Sequence, residues 1–513
     1  MTDAEQSRVA NDSWDVIVVG GGPPGENVAQ YAIQGSDRTA VIVERELVGG
    51  ECSYWACIPS KALLRPVQLL ATARNLPGVQ SLVGDHSLDA AAAMRRRDQF
   101  AGHDGDEPDA SQVQWANGIG IEVVRGRARL SGPRTVQVTA ADGTTRTLTA
   151  RQAVVLATGT TAAVPDVPGL REALPWISRD VTNLHEVPRR MAVIGGGVVA
   201  CEAATWLRAM GVDELTVIVR GGSLLTGNEP FAGELVAGQF GRSGIRVLTG
   251  SQATAARRTA PRDTGEGRIH GGPVELTVQT PDGEQTLTVD EVLVAAGRTP
   301  NSGDVGLDAV SVTPNGKGFV EVDDHLTVPG TADEHGEWLY AVGDLTGRAL
   351  LTHMGKYQAR IAGAVIGARA QGASLDGPQF TDRADHGMVP QVAFTEPPVA
   401  SVGLTEAQAR DAGLQVETAE YDLASVSGAA LLRDDYEGRA KLVIDAATDR
   451  LVGATFVGPE VDELLHSATI AVVGQVPVST LWHAVPSFPT ISEVWLRLLE
   501  TLAEHRRSRA SEA

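Results

Sequence analysis

The chain has 513 residues, is 42% hydrophobic and 4% aromatic, and carries a formal net charge of −21. A chain this long exceeds what one hydrophobic core supports, roughly 250–300 residues, so several domains are expected. The acidic balance argues against nucleic acid and anionic membranes, which attract basic surfaces, and no apolar run is long enough for a membrane span. The start, Met1–Trp14, is polar and acidic without an apolar signal core, so a cytoplasmic protein is expected.

Asp15–Val19 opens the chain's first recognisable element, a continuous β-branched run that reads as a buried strand. Gly20-Gly21-Gly22-Pro23-Pro24-Gly25 follows, then a helical stretch Glu26–Ile33 and a second strand Ala40–Val43 that ends in Glu44. Strand, glycine turn, helix, strand and acid together form a dinucleotide-binding βαβ fingerprint. Gly20, Gly22 and Gly25 permit the tight turn, the close approach of a pyrophosphate and helix–strand packing, and Glu44 would hold ribose hydroxyls.

Val48–Ala62 comes next and contains Cys52 and Cys57, two of only three cysteines. Pro59 is acceptable in a first helical turn, so a helix is expected to begin beside Cys57. A thiolate there is favoured by the positive end of the helix dipole, which should lower the Cys57 pKa. Two buried thiols or half a metal site are the competing readings. A closed zinc site needs four ligands, and no second cysteine pair exists, so no metal is expected.

Leu63–Ala73 continues the helix, with a kink expected near Pro66. Within Ser81–Ser111 an alanine run and Arg95-Arg96-Arg97 precede an acidic Gly/Asp/Pro loop, read as a solvated excursion without assigned function. Thr135–Leu148 has hairpin character around Asp142-Gly143, and the strand Ala153–Leu156 runs into Ala157-Thr158-Gly159.

A second fingerprint starts at Met191. Ala192–Ile194 reads as strand, Gly195-Gly196-Gly197-Val198-Val199-Ala200 as turn, Cys201–Met210 as helix and Leu215–Val219 as the next strand. Arg220 stands where the first unit has Glu44. An acid pairs with a ribose 2′-hydroxyl and an Arg suits a 2′-phosphate, so NADPH is expected over NADH; the alternative is an ordinary strand-end charge. Cys201 falls on the inward side of its helix and reads as core filler.

Two dinucleotide units flanking a cysteine pair suggest electrons passing from nicotinamide through flavin to a disulfide. The chain resembles the class I pyridine nucleotide-disulfide oxidoreductases, the group of dihydrolipoamide dehydrogenase, glutathione reductase and mercuric reductase. The resemblance rests on Gly20–Gly25 with Glu44, Gly49-Gly50-Glu51-Cys52 through Lys61, Ala157-Thr158-Gly159, Gly195–Glu202, Ala296-Gly297-Arg298-Thr299-Pro300-Asn301 and Tyr340-Ala341-Val342-Gly343-Asp344. The segment from Pro390 resembles the family's dimerisation domain.

This resemblance implies an α/β fold with two Rossmann-like domains, for FAD and NAD(P), and a C-terminal α+β dimerisation domain. The implied division is 1–170 with 301–375 for FAD, 171–300 for NAD(P) and 385–513 for the homodimer interface. Cys57 matches the charge-transfer cysteine and Cys52 the cysteine that exchanges with substrate. Lys61 and Glu202 match an ion pair beside the flavin N5. Gly50, Ala128, Thr158, Gly159, Asp344 and Thr352 fall at FAD-binding positions, with Asp344 on the ribityl chain; Gly297 falls near the nicotinamide cofactor.

One position departs from the family pattern. Disulfide-reducing members carry a near-C-terminal His-Pro-Thr-x-x-Glu, whose His–Glu pair reaches into the partner subunit as acid–base for thiol exchange. Here the stretch is Ser487-Phe488-Pro489-Thr490-Ile491-Ser492-Glu493. Phenylalanine cannot carry a proton, which leaves Glu493 as a hydrogen-bonding residue and disfavours lipoamide and glutathione disulfide as substrates. His483 is near in sequence but wrongly spaced. Tyr54-Trp55 fills the cysteine loop with bulk that could narrow access. The extra C-terminal cysteine pair of mercuric reductase is also missing. The expected function is an FAD-dependent NADPH oxidoreductase passing electrons through Cys52–Cys57 to an unidentified small-molecule acceptor. The alternatives are a reductase of one particular disulfide, of quinones or other small electrophiles at the flavin, or a non-catalytic redox sensor.

Overall fold

A computed structural model describes residues 12–84, 86–103 and 105–512. Most of Met1–Trp14, whose composition prompted the expectation about location, lies outside the described residues, as do positions 85 and 104 of the 81–111 segment. The chain divides into two compact units: Met1–Cys57, Ala101–Thr161 and Arg298–Asp385 form one, and Ile58–Phe100, Ala162–Gly297 and His386–Ala513 form the other.

The first unit is built on a seven-stranded sheet. Its centre is β1 (Ser13–Val19), which pairs in parallel with β2 (Ala40–Glu44) on one side and with Thr145–Leu156 on the other. Ile121–Arg125 extends the sheet beyond β2, and Leu339–Ala341 adds a further parallel strand against Val154–Leu156. The expected hairpin is present: Thr135–Thr139 pairs antiparallel with Thr145–Leu156, and Asp142 Oδ1 accepts from the Thr144 amide at 2.9 Å. A continuous apolar strand is buried on both faces, and β1 accordingly places Val16, Ile17 and Val18 fully out of solvent. Helix α1 (Pro23–Ile33) starts three residues earlier than its apolar pattern suggested, because two prolines with fixed φ are suited to a first turn. It packs along the helix Thr352–Ala370 so closely that a Cβ on Gly363 would lie 2.4 Å from the Tyr31 Cβ.

The second unit contains a four-stranded parallel sheet ordered Ile245–Leu248, Glu214–Ile218, Arg190–Ile194, Glu291–Val294. A three-stranded antiparallel meander, Gln252–Arg258, Val274–Thr280 and Gly283–Val289, belongs to it. So does a five-stranded antiparallel sheet, ordered Pro390–Ala393, Val399–Gly403, Arg450–Val457, Arg439–Asp445, Val416–Asp422, with helices Val461–Val473 and Val494–Glu512. The buried Lys441 ties this unit together, donating to Glu229 at 3.0 Å and to Glu406 at 2.6 Å. No helix is long and apolar enough to cross a membrane among the described residues.

Two local expectations change. The 81–111 segment is largely helical, with Gln80–Val83, Ala90–Ala101 and Ala110–Gly118. The alanine run supplies helix propensity, and Arg97 is fully buried, donating to the carbonyls of Thr182 at 2.5 Å and Leu184 at 3.0 Å. The acidic loop is not simply solvated: Asp109 is buried, accepts from the Val48 amide at 2.7 Å and pairs with Arg125. The expected helix carrying Pro66 runs from Cys57 to Arg74.

Candidate active site

The first glycine turn has the tightness that its sequence predicts. A Cβ on Gly25 would come within 2.0 Å of the Gly20 carbonyl oxygen, so only glycine lets α1 begin this close to β1. Glu44, the last residue of β2, points back into the turn and accepts from the Gly21 amide at 2.6 Å. Gly50 lies against Gly22, and Gly49 donates to the Gly21 carbonyl at 2.8 Å, which joins the turn to the cysteine stretch.

That stretch forms two helices, α2 (Gly50–Tyr54) and α3 (Cys57–Arg74). Cys52 lies within α2, and Cys57 is the first residue of α3, at the positive end of an 18-residue helix. A hydrogen bond links the two thiols. Cys57 Sγ also lies 3.3 Å from the Thr352 hydroxyl. The hydrogen bond to Cys57 is the largest influence pushing the Cys52 thiol up, and burial adds to it; Lys356 acts in the opposite direction. A dithiol in which Cys52 keeps its proton against Cys57 is poised for Cys57 to be the thiolate. The bulk of Tyr54 and Trp55 turns inward: Tyr54 is 2% exposed and donates to the Val48 carbonyl at 2.8 Å. Apolar ring area favours the interior, where the two rings meet edge to face.

A polar network in the same unit holds three more of the expected positions. Thr158 and Asn301 exchange hydrogen bonds at 2.9 Å each, and the Asn301 amide donates to the Gly159 carbonyl at 3.0 Å. Thr160 donates to Asp344 at 2.7 Å, and Arg298 bonds Thr160 and pairs with Glu51 at 2.7 Å. Burial raises the Asp344 carboxyl, with Thr160 and Arg298 opposing. Ala128 sits in the strand Arg127–Gly132, paired with Val138. Thr160 carries no spacing that marks it, and only the fold brings Arg298 to Thr160 and Glu51.

In the second unit, Gly195 repeats the tight approach of Gly25: with φ at 135°, its Cβ would meet the Ala295 carbonyl oxygen at 2.3 Å. The following helix, Val198–Ala209, starts three residues before the expected Cys201 and includes Ala200. Cys201 is fully buried and its thiol is pushed up to about 12, burial being the main cause, which suits core filler. Glu202, one residue on, is buried and receives Lys61 Nζ at 2.8 and 3.1 Å. Phe394, which the sequence did not single out, holds both partners: its amide donates to Glu202 at 2.9 Å and its ring lies 4.8 Å beneath the Lys61 ammonium. Arg220 is exposed two residues beyond the strand Glu214–Ile218. A Cβ on Gly159, Gly197 or Gly297 would meet nothing within 4 Å, so these turns leave room for a phosphate chain or a ring.

The C-terminal departure is equally concrete. Phe488 is 75% exposed. Glu493 is buried and bonded by Arg497 at 2.6 Å, which gives its carboxylate a cationic partner within its own helical turn. His483 is exposed. Among the described residues, no group of three or more His, Cys, Asp or Glu side chains could hold a metal.

The model of the pyridine nucleotide-disulphide oxidoreductase family matches residues 14–372, and that of the family's dimerisation domain matches residues 389–498. Similar curated proteins include the dihydrolipoyl dehydrogenase of Chlorobaculum tepidum, 32% identical over 500 residues, covering 95% of this chain and 97% of the relative. The mercuric reductase of Streptomyces lividans is 30% identical over 480 residues, covering 92% and 94%. Among solved structures, LpdA from Mycobacterium tuberculosis superposes with a TM-score of 0.77 at 22% identity, covering 94% of this chain and 99% of that one. The HOCl-induced flavoprotein disulfide reductase RclA from Escherichia coli gives 0.76 at 20%, covering 95% and 99%. These structures share the fold. FAD and a pyridine nucleotide are expected for such a chain, and the dimerisation domain supports a homodimer. With two dinucleotide turns, a paired dithiol and a dimerisation domain, the chain is an oxidoreductase that belongs to the pyridine nucleotide-disulphide oxidoreductase family.

Proposed function

We propose that the protein is an FAD-dependent NADPH oxidoreductase. Electrons pass to the Cys52–Cys57 pair and then to a small acceptor other than lipoamide or glutathione disulfide. The observation that carries this reading is the cysteine pair itself: Cys57 at a helix start, hydrogen-bonded by Cys52 and 3.3 Å from Thr352, in the same unit as the first glycine turn. FAD, when bound, supplies a two-electron carrier between nicotinamide and thiols.

Residues 1–170 and about 301–375 would serve FAD. Gly20, Gly22 and Gly25 would accept its pyrophosphate, Glu44 a ribose, and Gly50, Ala128, Thr158, Gly159, Asp344 and Thr352 the remainder. Residues 171–300 would serve NADPH, through Gly195, Gly197, Ala200 and Gly297, with Arg220 on the 2′-phosphate. Lys61 and Glu202 would act as a fixed ion pair in hydride transfer, and the buried Glu202 sets the position of the Lys61 ammonium. Cys57 would hold the thiolate and Cys52 would meet the acceptor. Residues from about 385 would form the homodimer interface, with the apolar Phe488 where relatives present a proton carrier. A cytoplasmic location accords with a cysteine pair kept for redox work.

The test is spectroscopic. The FAD-loaded protein, reduced by two electrons, is expected to absorb at long wavelength because the Cys57 thiolate would lie against the flavin. Cys57→Ser should lack that band, and a variant spectrum identical to wild type overturns the assignment. Multiple turnovers with NADPH and an acceptor panel separate an enzyme from a sensor, which would be reduced once and stop.

A further inference from the structure

Phe394 touches both members of the Lys61–Glu202 pair from a distant part of the chain. Lys61 stands near the start of α3, and Glu202 in the helix Val198–Ala209. Phe394 follows the strand Pro390–Ala393, in the stretch matched by the dimerisation domain, whereas the pair lies in the stretch matched by the family's main domain. Its backbone is well fixed. Ala393 pairs with Val399, and the adjoining Thr395 is fully buried and donates to the Pro397 carbonyl at 2.6 Å. Ala393 and Val399 share one core with Leu63 and Leu64 of α3 and with Ala200 and Ala203 of the second helix, and Phe394 packs against that core within the second unit.

The contacts divide the work between the two partners. Glu202 Oε1 accepts from the Phe394 amide at 2.9 Å and from Lys61 Nζ at 3.1 Å, and Oε2 accepts from Nζ at 2.8 Å. The Glu202 side chain is 4% exposed and that of Lys61 37%, so burial locks the carboxylate but not the ammonium on its flexible stem. The ring centroid lies 4.8 Å from Nζ, inside the roughly 6 Å over which a ring face attracts a cation. A ring face carries no net charge and takes no proton. It therefore fixes the ammonium without cancelling its charge, as a second carboxylate would.

We propose that Phe394 is a positioning residue for hydride transfer: its ring holds the Lys61 ammonium against Glu202, so that a residue of the dimerisation domain sets how fast NADPH reduces the flavin. The inference rests on the role in hydride transfer proposed above for Lys61 and Glu202. The hydride carries one proton and two electrons from NADPH to the flavin. Lys61 and Phe394 exchange neither, and act only through the field of a cation held in place.

The experiment varies the ring face while keeping its shape. Phenylalanines with increasing ring fluorination are close to the natural side chain in size but have a progressively weaker negative face. Placed at position 394 of the FAD-loaded dimer, they should slow anaerobic flavin reduction by NADPH step by step. Phe394→Leu should slow it about 2–5-fold, and Phe394→Tyr, which keeps the ring, should stay near wild type. The limiting rate should fall while the affinity for NADPH holds, a split that general loosening of the fold would not produce. A second readout needs no turnover. The chain has four lysines, Lys61, Lys317, Lys356 and Lys441, so isotope labelling at the lysine Cε gives an NMR spectrum in which the signal lost from Lys61→Met is that of Lys61. Beside a ring face its Cε protons should be shielded, and Phe394→Leu should move the signal towards that of the exposed Lys317. A rate that is flat across the fluorinated series, or a Lys61 signal that Phe394→Leu leaves in place, overturns the proposal. Flavin reduction at the wild-type rate in Lys61→Met would instead overturn the role of the Lys61–Glu202 pair.

Discussion

Arg220 and Glu44 occupy corresponding ends of the second strand in their respective βαβ units, yet their surroundings differ. Glu44 is bonded into its own glycine turn, whereas Arg220 projects from the surface with no hydrogen bond or ion pair recorded among the described residues. An exposed guanidinium is available to a 2′-phosphate. A charge-assisted contact of about 1.5–3 kcal/mol corresponds to roughly one to two decades of preference. Arg220→Glu should therefore lower the NADPH-to-NADH ratio of kcat/KM by about that factor, and an unchanged ratio assigns Arg220 to solvent. At this scale the sequence was legible where chemistry has a spacing: the glycines, the cysteine pair and Glu44 could all be located by counting. Phe394 and the contact between Glu51 and Arg298 could not. The partners lie far apart along the chain, and no local period records such contacts.

At the level of elements, strands were read more accurately than helix starts. Continuous apolar runs identify buried strands, but both glycine-turn helices begin three residues before their expected starts, because Pro23-Pro24-Gly25 and Val198-Val199-Ala200, read as turn, already form the first helical turn. The acidic loop of the 81–111 segment looked solvated by composition, whereas its Asp109 is buried, and Arg97 ahead of it is buried by satisfying two carbonyls. Beyond the helix Thr352–Ala370, Asp382 is fully buried beside Asp385, which pairs with Arg348. Burial, then Asp385, pushes the Asp382 carboxyl up to about 6, above its value near 3.8 in an unfolded chain. The folded state therefore binds this proton more tightly. The stabilisation is fully present below about pH 4 and is lost as pH rises through about 6. Asp382→Asn, which is neutral throughout, should flatten the fall in stability between pH 4 and 6 and raise the denaturant midpoint at pH 7. A variant with the wild-type pH dependence would remove Asp382 from this role.

Over the whole molecule, the expected three-part division and the two compact units follow different logic. Sequence motifs divide a chain by chemistry, whereas compactness groups the 162–297 and 386–513 stretches through ties such as Lys441 with Glu229. The C-terminal stretch also leaves apolar side chains uncovered: Ile470 and Val473 on the helix Val461–Val473, then Trp482 and Val485. A dimerisation domain accounts for them, since a two-fold interface buries each such patch against a second copy. Ile470→Asp would place an unpaired charge there twice per dimer. Sedimentation should then find a monomer at concentrations where wild type is dimeric, and an intact dimer would move the interface elsewhere.

The carboxylate of Asp109 holds the amide of Val48, four residues before Cys52, from a loop more than fifty positions further along the chain. That amide can trade its proton with solvent only when the loop lets go. Its exchange lifetime is therefore a clock for loosening of the backbone that leads into the cysteine stretch, and it can be read without a substrate, a cofactor or a turnover. A change in the 105–109 loop that speeds this clock would loosen the approach to the redox pair while leaving every residue of the pair in place.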